Sequence, residues 1–261
     1  MTTKPWTITE GDGPLVAVSV HSGHGAREDV APLFALTDAE RLREEDPFTD
    51  LWTQIAPTRA TVQHSRFEVD LNRPRDRAVY LTPEQAWGLH VWKQELPTEV
   101  LERSQAQHDA FYAEMSALLN RVAERNGRFV VYDLHTYNHR REGADGPEAP
   151  KAQNPDVNLG TGTMNRERWA PIVATFTEAL RVTDQVKDDL DVRENVKFLG
   201  GQFSRWVHET YPESGCSLAI EFKKFFMDEW TGEPHPGQVD AIRDALAATI
   251  APVLETLARM R

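Results

Sequence analysis

Apolar and polar positions fall into blocks whose spacing changes along the chain. In PLVAVSVHSGHG an apolar run, Leu15 to Val20, stops at His21 and passes into a glycine-punctuated loop, the pattern of a short buried strand. TDAERLREE, Thr37 to Glu45, predicts a short helix, with Thr37 as N-cap and Glu40 three residues on at capping-box spacing. ATVQHSRFEVDLNRP alternates and reads as extended up to Pro74. Between Pro97 and Asn126, Phe111, Met115, Leu118 and Val122 recur at helical spacing, and Gly127 follows as a C-terminal cap. RFVVYDLHTYNH predicts a second buried strand, Phe129 to Leu134, that again ends in a histidine, His135.

From Asn138 to Gly162 the chain is rich in Gly, Pro, Asn and Asp without a period, which predicts a long irregular loop. A helix over Asn165 to Val182, a strand at VKFLG (196–200), a helix from Phe203 to Tyr211 and a strand at CSLAIEF (216–222) follow. Val239, Ile242, Leu246, Ile250, Val253 and Leu257 form one face of a closing helix. Near-continuous apolar strands alternating with helices define the expected class: α/β, an α/β/α sandwich with a mixed, largely parallel central sheet, folded as a single domain over residues 1–261. Ligands of such sheets sit at the carboxyl ends of strands, where His21, His135 and Glu221 fall.

Composition narrows the function classes. The 261 residues are 40% hydrophobic and carry a formal net charge of −12. A nucleic-acid partner is not expected, because phosphate binding needs basic stripes that are missing. No apolar run reaches the length of a membrane span and MTTKPWTITEGDG lacks signal-peptide features, so a cytoplasmic protein with no membrane partner is expected. The single cysteine, Cys216, lies in an apolar run and reads as a core residue. Against this acidic background an anion is held only where arginines gather locally.

Two histidines at the ends of parallel neighbouring strands suit a divalent metal, and two histidines plus one carboxylate make the protein half of a catalytic zinc site. The residues leave the third ligand open among Glu28, Asp46, Asp50 and His24, while Asp133 shares a strand face with His135 and is placed to orient it. Glu221 is an acid in an otherwise apolar strand, the setting of a general base unless it pairs with Lys223 or Lys224. Asp70, Asn72 and Arg73 alternate with Val69 and Leu71 and are read as sharing one face, which Arg66 joins beside Asp70 by strict alternation, and a guanidinium with a neighbouring amide matches a substrate carboxylate. Neither GTGTMN nor HSGHG carries the spacing of a phosphate loop or a serine nucleophile.

Taken in order, HSG, TDLW at Thr49 to Trp52, SRFEVDLNRP, DLHTYN, DVNLGTG and AIEF resemble the N-formylglutamate amidohydrolase family, a branch of the zinc carboxypeptidase and aspartoacylase group. The resemblance spans His21 to Phe226. It implies zinc held by His21, His135 and Asp50, a scissile carbonyl polarised by Arg66, a substrate carboxylate held by Asn72 and Arg73, and Glu221 as general base. The implied substrate is a small anionic N-acyl amino acid, N-formyl-L-glutamate foremost. The alternatives are a peptide carboxylate taken by a carboxypeptidase-like hydrolase and, from another class, a non-catalytic carboxylate-binding protein. KKFFMDEWTGE, Lys223 to Glu233, departs from the family pattern, and His24 stands where the wider group has the glutamate of a H-x-x-E pair.

Overall fold

The computed structural model describes residues 4–183, 186–187 and 190–260. Its strands are β1 (Trp6–Thr9), β2 (Leu15–Ser19), β3 (Thr58–Val62), β4 (Phe129–Tyr137), β5 (Val157–Gly160), β6 (Val192–Glu194) and β7 (Gly215–Lys223). Its helices are α1 (Asp38–Glu44), α2 (Thr49–Trp52), α3 (Thr98–Asn126), α4 (Ala170–Arg181), α5 (Gln202–Thr210), α6 (Gln238–Ala248) and α7 (Ile250–Arg259). The strands form one seven-stranded sheet in the order β1-β3-β2-β4-β7-β5-β6. Within it β3, β2, β4 and β7 run parallel, while β1 and the β5-β6 pair run against them.

Strand periodicity splits the core into two layers. Val130, Tyr132 and Leu134 of β4, with Leu218, Ile220 and Phe222 of β7, pack against α4, α6 and α7. Val16, Val18, Phe129 and Val131 pack on the other face against α3 and α5. The helical residues expected to face inward from α3, Phe111, Met115, Leu118 and Val122, are all fully buried, each stabilising by about 1.5–3 kcal/mol. The same parity turns Asp133, His135 and Glu221 toward the α3/α5 side. There, in the predominantly apolar central strands, a polar patch opens at their carboxyl ends.

Several elements differ from expectation, each for a local reason. SRFEVDLNRP is no strand but a chain of turns, closed by Glu68 N–H to Ser65 O and Arg73 N–H to Asp70 O. Its alternation survives because Phe67, Val69 and Leu71 are buried, yet Glu68 and Asp70 are buried too, spent on side-chain partners that period alone does not reveal. His135 lies inside β4 rather than after it. The 138–162 segment contains β5, too short and too interrupted by Asn158 and Gly160 to show a period. VKFLG is not a strand: the Asn158 side chain accepts from Lys197 N–H at 2.8 Å and donates to Phe198 O at 2.9 Å, replacing a ladder partner, and β6 forms upstream instead. The closing helix breaks at Thr249, since Pro252 has no N–H for the carbonyl four residues back.

Candidate active site

β2, β4 and β7 are adjacent and parallel, so the residues at their carboxyl ends converge. His21 follows β2, and His135 and Glu221 are directly paired across β4 and β7. The two imidazole rings lie 5.0 Å apart. Together with Arg66, Asn72, Arg73 and Lys224 they line a cleft of about 350 Å³.

The acid between the histidines is Asp46. Its Oδ2 stands 3.3 Å from His21 Nδ1 and 3.1 Å from His135 Nδ1, while Oδ1 accepts from Thr136 at 3.0 Å. Asp46 N–H donates to His21 O, and Thr49 Oγ1 donates to Asp46 O, which fixes the turn after α1. Burial opposes the Asp46 charge, but the two histidines outweigh it and hold its carboxyl far below the usual range.

The other nitrogen of each ring is also taken by a carboxylate. Asp70 Oδ1 accepts from His21 Nε2 at 2.7 Å, and Asp133 Oδ1 from His135 Nε2 at 2.9 Å. With the Nε2 of each ring bound to an outer carboxylate, the Nδ1 atoms of both imidazoles face the Asp46 carboxylate. Two imidazole nitrogens and a carboxylate oxygen facing one point form a set that could hold a metal ion. Their ligand atoms all lie within 4.8 Å of one another, and this N2O donor set, with its outer carboxylates, suits zinc or a similar divalent ion.

Asp50, expected as the third ligand, is placed elsewhere. Phe48 takes a left-handed conformation (φ 70°) ahead of the single turn of α2, which buries Thr49 and Trp52 and leaves Asp50 beside Thr53, Gln54, Arg59 and Thr61. Of the remaining alternatives Glu28 is exposed, and His24 pairs with Glu45 at 2.6 Å. The Asp133–His135 contact expected from strand parity is present. Asp70 was legible only as a neighbour of Arg66; its contact with His21, across 49 residues, was not.

Glu221 pairs with neither nearby lysine: Lys223 binds Asp156 at 2.9 Å, and Lys224 donates to the carbonyls of Arg43 and Glu45 at 2.6 and 2.7 Å. Burial raises the Glu221 carboxyl to about 7, the range in which a carboxylate exchanges protons with water near neutrality. Burial likewise brings the Lys224 ammonium down to about 8. Arg66 is held by Asp70 at 2.8 Å, by Tyr80 Oη at 3.3 Å and by Glu44 O at 3.2 Å, which leaves two of its five N–H groups for the cleft. Asn72 Oδ1 accepts from Phe203 N–H at the start of α5 (2.9 Å), so its amide NH2 remains beside His135. Arg73 lies under the Tyr80 and Trp87 rings.

Carboxyl ends of parallel strands that gather a His-Asp-His cluster, a carboxyl titrating near 7 and free guanidinium donors make a hydrolytic site on an α/β/α sandwich. The chain belongs to the N-formylglutamate amidohydrolase family, hydrolases of an amide bond, which it matches over residues 13–227. The fold is similar to that of an N-formylglutamate amidohydrolase from Ralstonia eutropha JMP134, at 19% identity and a TM-score of 0.76, covering 98% of this chain and 99% of that one. It is also similar to a gene product of Agrobacterium tumefaciens, at 15% identity and a TM-score of 0.69, covering 98% and 97%. No curated relative matches the chain in sequence.

Proposed function

We propose that this protein is a zinc-dependent hydrolase that cleaves N-formyl-L-glutamate to formate and L-glutamate, with His21, Asp46 and His135 holding the metal. The observation that carries this reading is the convergence of three candidate ligand atoms beside a carboxyl held near 7. When bound, zinc would supply Lewis acidity, lowering the pKa of water toward ~7 and polarising the formyl oxygen.

The chain's own residues do the rest. Arg73 and the free NH2 of Asn72 hold the α-carboxylate and fix the amide against the cleft floor. Arg66, charged and anchored by Asp70, directs its free N–H groups at the oxygen that gains negative charge. Glu221 takes a proton from water as the oxygen bonds to the formyl carbon, then delivers it to the nitrogen as the C–N bond breaks. A cleft of about 350 Å³ favours a compact N-acyl amino acid over an extended peptide.

The test is metal content of protein purified without chelator, with formate release measured for wild type and His135→Ala. About one zinc per chain, and release abolished in the variant, is expected. Zinc without formate release would move the substrate to another acyl group. No bound or restorable metal would overturn the zinc reading.

A further inference from the structure

Five cationic side chains line the cleft, Arg66, Arg73, Arg141, Lys197 and Lys224, against the acids Glu44, Asp46 and Glu221. This excess arises in a chain of net charge −12, so it is a local arrangement set against the global field. Three of the five have work already: Arg66 rests on Asp70, Lys224 on two carbonyls, and Arg73 serves the α-carboxylate in the reading above. Arg141 and Lys197 are left over.

Lys197 donates to the neutral amide oxygen of Asn154 at 2.5 Å and stands 4.9 Å over the Tyr137 ring, with no ion pair among the described residues. Lys197 and Arg141 line the same cleft, and the Lys197 charge is disfavoured first by burial and next by Arg141, with Glu221 and Glu229 acting in the opposite direction. Among the described residues Arg141 ion-pairs with one acid, Glu44, at 3.3 Å from each of two guanidinium nitrogens. That is longer than the ~2.7–2.9 Å of a tight charge-assisted pair, which leaves donor capacity for a second carboxylate.

The backbone just before Arg141 is pinned. Glu229 accepts from the backbone N–H of His139 at 2.7 Å and of Arg140 at 2.9 Å, and Trp230 Nε1 donates to Arg140 O at 3.0 Å. Both residues come from the Lys223–Glu233 segment that departs from the family pattern. Arg140 itself turns away to Glu148, and Arg205 is exposed, so neither of these nearby arginines serves the cleft.

We infer that Arg141 and Lys197 form a second anion subsite, apart from Asn72 and Arg73, which takes the side-chain carboxylate of the substrate and restricts the enzyme to N-acyl amino acids with acidic side chains. This rests on the amidohydrolase reading above. A carboxylate placed between the two cations relieves their repulsion and adds charge-assisted hydrogen bonds that a neutral side chain does not.

The experiment compares kcat/KM for N-formyl-L-glutamate and its neutral isostere N-formyl-L-glutamine, using metal-loaded wild type, Arg141→Gln and Lys197→Gln. Calorimetric binding of glutarate and of its monoamide is measured on the same proteins. Wild type should prefer the glutamate substrate by about 10–100-fold, and each variant should lower that ratio about tenfold. A wild-type ratio near one, or variants that keep the ratio, overturns the subsite while leaving the amidohydrolase reading intact. If wild type cleaves neither substrate, that reading fails and calorimetry decides the subsite. Tighter binding of glutarate than of the monoamide, lost in both variants, upholds it; equal binding overturns it. Both side chains are partly exposed, so neither variant threatens the fold.

Discussion

Glu221→Gln separates function from stability in opposite directions. The carboxyl rises from its usual 4.5 to about 7, chiefly by burial. At about 1.36 kcal/mol per unit, the ionised folded protein carries a penalty of about 3 kcal/mol. The sign follows from linkage. Below about pH 4.5 both folded and unfolded chains hold the proton and no penalty exists. As pH rises toward 7 the unfolded chain loses its proton first, and stability falls until the folded carboxyl also ionises. The neutral glutamine removes this loss. In chelator at pH 8, Glu221→Gln should therefore unfold later than wild type by about 3 kcal/mol, on the order of 6–12 °C, and the gap should close in acid. Bound metal adds positive charge nearby and shrinks the gain. Turnover should drop by about 10²–10⁴-fold, the usual contribution of a positioned base. Thermal scans across pH and a formate assay read both effects. A variant less stable than wild type at pH 8, or one that keeps its turnover, would refute the argument that Glu221 is a desolvated base.

Asp46→Asn should weaken zinc binding by more than the ~10–100-fold typical of outer carboxylates, while Asp50→Asn leaves it unchanged in a chelator competition; the reverse result would return the third ligand to Asp50. Gly201→Ala would place a Cβ 2.2 Å from both Nδ2 and Oδ1 of Asn72. The overpacking should cost about 1–3 kcal/mol and raise KM by displacing Asn72, so wild-type KM in this variant would remove Asn72 from substrate binding. Burial opposes the charge of Glu229, yet hydrogen bonds from His139 and Arg140 outweigh it and lower its carboxyl to about 2. A depressed folded value means that its stabilisation is complete above the usual 4.5 and fades as pH falls toward 2. The urea midpoints of wild type and Glu229→Gln should differ most near neutrality and converge in acid; a gap independent of pH would contradict the tether.

Much of the framework was legible because it rests on local chemistry. Thr37 and Glu40 form the reciprocal capping box that their spacing announces, and Gly127 ends α3 with φ 74°. The two strand-and-histidine segments, β2 with His21 and β4 with His135, are parallel neighbours, the condition under which their imidazoles emerge at one edge of the sheet. The carboxyl-end placement of Glu221 and the Asp133–His135 contact follow from strand parity. VKFLG misled because its apolar Phe198 and Leu199, 36% and 59% exposed, stand beside the cleft instead of in the core.

The amino-acid order by itself determined the layered α/β class, the two histidines, the buried acid of β7 and the arginines of SRFEVDLNRP, since each depends on periodicity or on neighbours a few residues away. Only the tertiary structure decided which of the consecutive acids Glu44, Glu45 and Asp46 meets the histidines. Glu44 faces Arg141, Glu45 faces His24 and Ser65, and Asp46 reaches His135 across 89 residues. A carboxylate acquires its role from the field it is folded into, and three adjacent acids with nearly identical chemistry carry no local mark of which one will face the imidazoles.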